Sequence, residues 1–153
     1  MQYWLMKSEP EEFSIDDLQR VGTEPWDGIR NYQARNFMRD DMQIGDQVLF
    51  YHSNCKPPGI VGVAKIASKA YPDPTQFDPD NSHYDADSKP DDPRWLLVDV
   101  SFVRKLDGII SLPTIKAHAE QLDGLALIRK GNRLSIMPMS KQHFDFLLGL
   151  DTQ

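Results

Sequence analysis

The chain has little of what marks a secreted, membrane-bound or cofactor-carrying protein. One cysteine, Cys55, occurs in 153 residues. No internal disulfide can form, and a reducing compartment is expected. No apolar run approaches the ~20 residues of a membrane span. The opening MQYWLMKSEP has no basic segment, no long apolar stretch and no small-residue cleavage site, so no signal peptide is expected. Phosphate-loop and Gly-rich dinucleotide patterns are missing. His52 and Cys55 are not joined by a second His/Cys pair, as a zinc site requires. DPDNSHYDADSK begins like a calcium loop, but His83 stands where glycine is needed and Lys89 where a bidentate glutamate is needed. These gaps favour one soluble cytoplasmic domain over residues 1–153, with no cofactor, no metal and no membrane contact.

A net positive charge is also lacking: the formal charge is −6. Its distribution matters more than its sum. Residues 72–93 hold seven acids and a single base, Lys89, and the rest of the chain is balanced with sixteen of each. One Pro/Asp-rich loop, expected on the surface, therefore sets the overall sign. A local cationic face for an anion remains open.

What is present reads as mixed strands and helices. Tyr3–Lys7 is rich in large apolar residues and ends at a polar turn, as a first strand does. Ser14 has the place of a helix N-cap, with Phe13 and Leu18 spaced as a hydrophobic staple and Gly22 as the stop. Asn31 caps a second expected helix running to about Met42. Strands are expected over IGDQVLFYHS, GIVGVAKIA and RWLLVDVSFVRKL. SLPTIKAHAEQL should contain a short helix. ALIRKGNRLSIMP reads as two short strands around Gly131–Asn132, and Ser140 caps a last helix. Regular βαβ alternation is absent, so the expected class is α+β: a small mixed β-barrel of five to six strands with three to four packed helices.

Three polar clusters fall at strand ends or helix starts: KSEP, WDGIRNYQARN and FYHSN. Mouths of small barrels are common ligand sites. The residue types suit a flat, polar, π-faced ligand. Trp26 and Tyr32 can stack on a base. Ser8, Asn31, His52 and Ser53 both donate and accept, and Glu9 accepts from an exocyclic amino group. Arg30, Arg35 and Arg39 can meet phosphate. Plainer roles compete. Asn31 can simply cap its helix, Arg35 and Arg39 can form a solvated face beside Asp40 and Asp41, His52 can be structural, and Trp4, Trp26 and Trp95 can all be core.

YWLMKSEP, WDGIRNYQARNFM, GDQVLFYHSN, PGIVGVAKI, AYPDPTQFDP, PRW and LSIMP together resemble the EVE-domain family, in order along nearly the whole chain. The resemblance implies a PUA-like barrel related to the PUA, ASCH and YTH domains, and a role in reading modified bases, cytosine derivatives among them. It also implies site positions: Lys7, Ser8 and Glu9; Trp26; Asn31, Tyr32, Arg35 and Asn36; His52 and Ser53; and Tyr71 and Asp73 at the start of the Pro/Asp loop.

The expectation is a non-catalytic reader of one flipped or single-stranded modified base in DNA or RNA. Trp26 and Tyr32 would flank the base, Glu9, Asn31 and Ser53 would read its edge, and Arg30 and Arg35 would meet phosphate. The alternatives are a nucleotide-directed hydrolase using Glu9 or His52 as general base, and a small-molecule or protein-binding module. Sequence leaves the oligomeric state open.

Overall fold

The computed structural model describes residues 1–152. Six strands form one curled mixed sheet in the order β2-β7-β4-β3-β1-β8, and four α-helices pack against it. The strands are β1 (Tyr3–Ser8), β2 (Thr23–Pro25), β3 (Gln47–His52), β4 (Gly59–Ile66), β7 (Asp99–Ser111) and β8 (Ile136–Met139). A small second sheet pairs β5 (Tyr71–Pro72) with β6 (Leu96–Leu97). The helices are α1 (Ile15–Val21), α2 (Tyr32–Asn36), α3 (Leu112–Ala117) and α4 (Lys141–Gly149).

Strand alternation divides the apolar residues between two cores. Trp4, Met6, Val48 and Phe50 meet Ile15, Leu18, Ala34 and Met38 of the N-terminal helices on one face. Leu5, Leu49 and Tyr51 meet Ile115, Phe144 and Leu147 on the other. β1 runs parallel to β3 and antiparallel to β8. The ends of β1 and β3 therefore open on the same side, and the polar residues after each strand converge there.

Local chemistry fixes the helix starts. Ser14 accepts from the Asp17 amide at 3.1 Å while Asp17 accepts from the Ser14 amide at 2.9 Å, a reciprocal capping box. Asn31 accepts from the Ala34 amide at 2.9 Å, and Ser140 from the His143 amide at 3.1 Å. The second helix widens into a π-helical turn over Phe37–Asp41, closed by the Met42 amide on Phe37 O at 2.9 Å. At Gly62 a Cβ would collide with Ile15, so glycine is required where α1 meets the sheet.

Three expectations need correction. The stretch RWLLVDVSFVRKL is not one strand: Leu96–Leu97 pairs with β5, and β7 begins at Asp99 and runs on to Ser111. The ALIRKGNRLSIMP hairpin has only its second strand. The hydrogen-bonded edge of β8 pairs with β1, and Ala126–Ile128 forms a 3-10 turn that drops Leu125 and Leu127 into the second core. The Pro/Asp loop, expected to be too polar to pack, is anchored through its own polar groups. Buried Gln76 donates to the carbonyls of Asp73 and Trp95 at 2.7 and 2.8 Å and accepts from Ser88 at 2.6 Å and the Trp95 amide at 3.0 Å. A segment short of apolar side chains packs when its buried polar atoms are paired in this way.

Candidate functional site

A hollow of about 650 Å³ opens where β1, β3 and the turn after β2 end together. That lies within the roughly 300–1,000 Å³ of small-ligand sites. β1 brings Lys7 and Ser8 and the following turn Glu9, Glu12 and Phe13; Glu24 to Ile29 form another wall, Ser53 and Asn54 the end of β3, and Arg133 to Ser135 the approach to β8. Main-chain hydrogen bonds fix these walls: Lys7 N–H to Ser135 O at 2.8 Å and Ser53 N–H to Ser8 O at 3.0 Å. The Ser8 hydroxyl donates to Phe13 O at 2.6 Å and folds the SEPEEF turn over the opening. Glu9 accepts from the Asn54 side-chain amide.

Trp26 is the floor. It is 7% exposed, lodged edge-on between Phe13 and Phe50 with ring centroids 6.3 and 5.6 Å away. Among the described residues no buried side-chain polar atom lacks a partner, and the Trp26 indole N–H makes no hydrogen bond to any of them. That N–H therefore keeps some exposure to solvent, and Trp26 is among the residues that line the hollow. Trp26 is better placed to donate from the floor than to offer a broad stacking face.

The Pro/Asp loop supplies the outer wall. Gly28 has φ +79°, and a Cβ on it would lie 2.8 Å from the His83 ring. Only glycine satisfies both the left-handed turn and that approach. Fully buried Asp73 holds the arrangement, accepting from the Gly28 amide at 2.8 Å, the Thr75 amide at 2.8 Å, the Thr75 hydroxyl at 2.6 Å and Arg30 at 3.0 Å. Burial alone raises the Asp73 carboxyl, but these hydrogen bonds outweigh it and the net shift is downward.

Both signs of charge line the hollow, Lys7 and Arg133 with Glu9, Glu12, Glu24 and Asp27. Lys7 and Arg133 flank the side next to β8, and neither makes an ion pair within the described residues; burial lowers the Lys7 pKa, and its ammonium lies 5.7 Å from the Tyr51 ring centre. Burial raises the Glu24 and Asp27 carboxyls, reinforced by their mutual repulsion for Glu24 and by Asp73 for Asp27. Ser53 and Ser135 present uncommitted hydroxyls. Donors and acceptors lining one hollow suit the edge of a base carrying both a ring carbonyl and an amino group.

Of the residues expected at a site, the hollow gathers Lys7, Ser8, Glu9, Trp26 and Ser53. The others stand elsewhere. Asn31 caps α2 and borders a separate shallow groove. Tyr32 lies against Trp95, centroids 4.9 Å apart, with Arg35 4.8 Å above it. His52 accepts the Ile15 amide at 3.1 Å on Nε2, completing the start of α1, and burial lowers its pKa. The Tyr71 hydroxyl donates to Asp99 at 2.5 Å; burial and then that carboxylate push it up to about 12. Asp73 is a buried anchor, not a group on the surface of the hollow.

The three arginines expected at phosphate are also engaged. Arg30 binds Asp73, the Thr75 hydroxyl at 3.0 Å, and His83 O at 2.8 and 3.0 Å. Arg35 binds Asn36 and Arg94 O. Arg39 pairs with neighbouring Asp40 at 2.8 and 2.9 Å. Sequence reasoning missed Phe13, Glu24, Asp27, His83, Arg133 and Ser135. The available signal for Arg133 was the run from Gly124 to Ser140, which holds three cations and no acid.

Comparison with known proteins bears on this geometry. A family model described as the EVE domain matches residues 2–150. Mouse thymocyte nuclear protein 1 is 48% identical over 167 aligned positions, covering 97% of this chain and 73% of the relative. A Pseudomonas syringae protein of known crystal structure is 49% identical with a TM-score of 0.93, covering 97% of this chain and 99% of that one. The human THYN1 protein, in a structure described as a complex with 5-methylcytosine-containing DNA, is 46% identical with a TM-score of 0.94, covering 100% of this chain and 99% of that one. The thymocyte relatives overturn the expected cytoplasmic placement: they carry a nuclear name, and the human one is described in complex with DNA. A lone cysteine does not distinguish cytoplasm from nucleus. No helix among the described residues is long and apolar enough to cross a membrane.

Proposed function

The chain belongs to the EVE-domain family, and from that premise we propose that it is a non-catalytic module that takes one modified cytosine base of DNA into the hollow above Trp26. The observation that carries this reading is a base-sized hollow lined by Trp26, whose indole N–H has no partner among the described residues, in a chain closely similar to a protein described in complex with 5-methylcytosine-containing DNA. Carboxylates of Glu24 and Asp27 accept from the exocyclic amino group. Trp26 and Lys7 donate to ring nitrogen and carbonyl. Phe13, Ile29 and Leu134 give the 5-methyl group an apolar wall. Tyr32, Tyr71 and Asp73 support the surrounding structure in this account and do not touch the base. Extruding a base costs a few kcal/mol, so a single strand or weakened duplex binds better than a perfect duplex, and RNA competes only where its base is equally free.

Two contacts weigh against the hydrolase alternative. His52 Nε2 is held by the Ile15 amide and Glu9 by Asn54.

The test is anisotropy binding of matched oligonucleotides carrying 5-methylcytosine, cytosine or thymine at one position. A methyl group seated against an apolar wall is worth roughly tenfold or more in affinity. Wild type should prefer 5-methylcytosine by that margin. Trp26→Phe, which keeps a ring in the core but loses the N–H, should weaken all cytosine-bearing ligands. Equal binding of the three oligonucleotides by wild type overturns the proposal.

A further inference from the structure

Placing a base in the hollow leaves open what holds the phosphodiester chain, because Arg30, Arg35 and Arg39 are all engaged within the fold. Eight arginines occur in the sequence. Arg20, Arg30, Arg39, Arg94 and Arg104 make ion pairs, and Arg35 is hydrogen-bonded to Asn36 and Arg94 O. Only Arg129 and Arg133 have guanidinium groups without a hydrogen bond or ion pair among the described residues. Both are exposed, and exposed Lys130 lies between them, equally unpaired. The Ala126–Ile128 3-10 turn, fixed by the burial of Leu125 and Leu127, leads directly into this loop.

The three cations border a shallow groove of about 300 Å³, faced by Asn31 and Gln33 from the start of α2, with no acidic residue in its walls. Arg133 and Leu134 line both this groove and the hollow, so the two adjoin. The Asn31 oxygen is taken by the Ala34 amide, which leaves its side-chain NH2 as a donor toward the groove. Amide donors, three uncompensated cations and no carboxylate make a surface for successive phosphates.

We infer that the 129–133 loop is the backbone-binding site of this protein: a nucleic-acid strand whose flipped base enters the hollow lays its adjacent phosphates along Arg133, Lys130 and Arg129. The inference rests on the base-reading proposal for its choice of ligand. Phosphate contacts position a strand and carry no base information. The loop therefore sets affinity and salt dependence, and the hollow sets preference for the modified base.

The experiment compares wild type, the double variant R129Q/K130Q and a control double K69Q/K116Q that removes the same charge elsewhere. Each is titrated with methylated and unmethylated oligonucleotides at several salt concentrations, with thermal midpoints confirming folding. The loop variant should weaken binding to both ligands alike and flatten the salt slope by about one to two. Its ratio of methylated to unmethylated affinity should stay at the wild-type value, and the control double should change the slope by less than one. An unchanged slope in the loop variant overturns the inference, as does an equal change in the control. Loss of binding to anionic lipid vesicles, with DNA binding unaffected, also overturns it by assigning the loop to membranes. Absence of methyl preference in wild type, with the salt slope still dependent on the loop, would instead overturn the base-reading proposal and leave the phosphate site standing.

Discussion

Replacing Asp73 with asparagine removes one carboxylate oxygen from a fully buried position where two oxygens receive four hydrogen bonds. The new NH2 faces either the Gly28 amide and Arg30 or the two donors of Thr75, so two donors lose their acceptor in either orientation. It also leaves the guanidinium of Arg30, 21% exposed, without its counter-charge. Breaking a buried pair by removing one partner costs about 3–5 kcal/mol. For a domain of this size each kcal/mol lowers the melting midpoint by roughly 2–4 °C, so D73N should melt on the order of 10 °C below wild type. The loop would detach from the Gly28 turn, His83 would leave the hollow, and preference for the modified base should fall even where the protein is still folded. Calorimetry with denaturant titration measures the first effect and oligonucleotide binding the second. The double variant D73N/R30M should lose less than the sum of the single changes, because it leaves no unpaired buried charge. A loss below about 1 kcal/mol in D73N would refute the claim that this carboxylate anchors the loop.

Further outcomes follow from the same structure. His52 must be neutral to accept from the Ile15 amide, and burial already lowers its pKa below the ordinary 6.5. The folded state thus binds fewer protons than the unfolded chain, so the stabilisation is fully present above about pH 6.5 and is lost as pH falls through the lowered value. Denaturant titrations of wild type and H52F, which has a ring but no acceptor, should differ most near pH 7.5 and converge in acid; parallel curves would contradict this. Gly28→Ala forces a left-handed residue, at roughly 1–3 kcal/mol, and pushes on the His83 ring. It should lower both the melting midpoint and base preference, measured by thermal unfolding and anisotropy, whereas G124A, at a comparable positive φ with open space, should lower stability alone.

Much of the fold was legible because local rules decided it. Ser14, Asn31 and Ser140 cap the helices that follow them, and the alternation through Val48, Leu49, Phe50 and Tyr51 sends side chains to two opposed cores. The hollow was partly legible for a related reason: Lys7, Ser8, Glu9 and Ser53 follow the ends of two strands that lie side by side. What sequence could not show was long-range pairing. Arg30 looked like a free cation because Asp73, its partner, is 43 residues away. Tyr32 looked like a stacking platform because Trp95, on which it lies, comes from beyond the acidic loop. His83 sits in a segment whose composition argued for solvent, and only the Gln76, Ser88 and Asp73 networks bring it back. The 129–133 cations looked like a hairpin turn because the missing strand depends on which edge of β8 is paired.

The central claim is that a base enters the hollow above Trp26. Photo-crosslinking tests it most directly: an oligonucleotide with a single 5-iodocytosine is irradiated on the protein and the adduct is located by mass spectrometry. The account predicts adducts on Phe13, Trp26 or His83, suppressed by excess 5-methylcytosine oligonucleotide. Adducts confined to Tyr32 or Trp95 would place the base outside the hollow and contradict it.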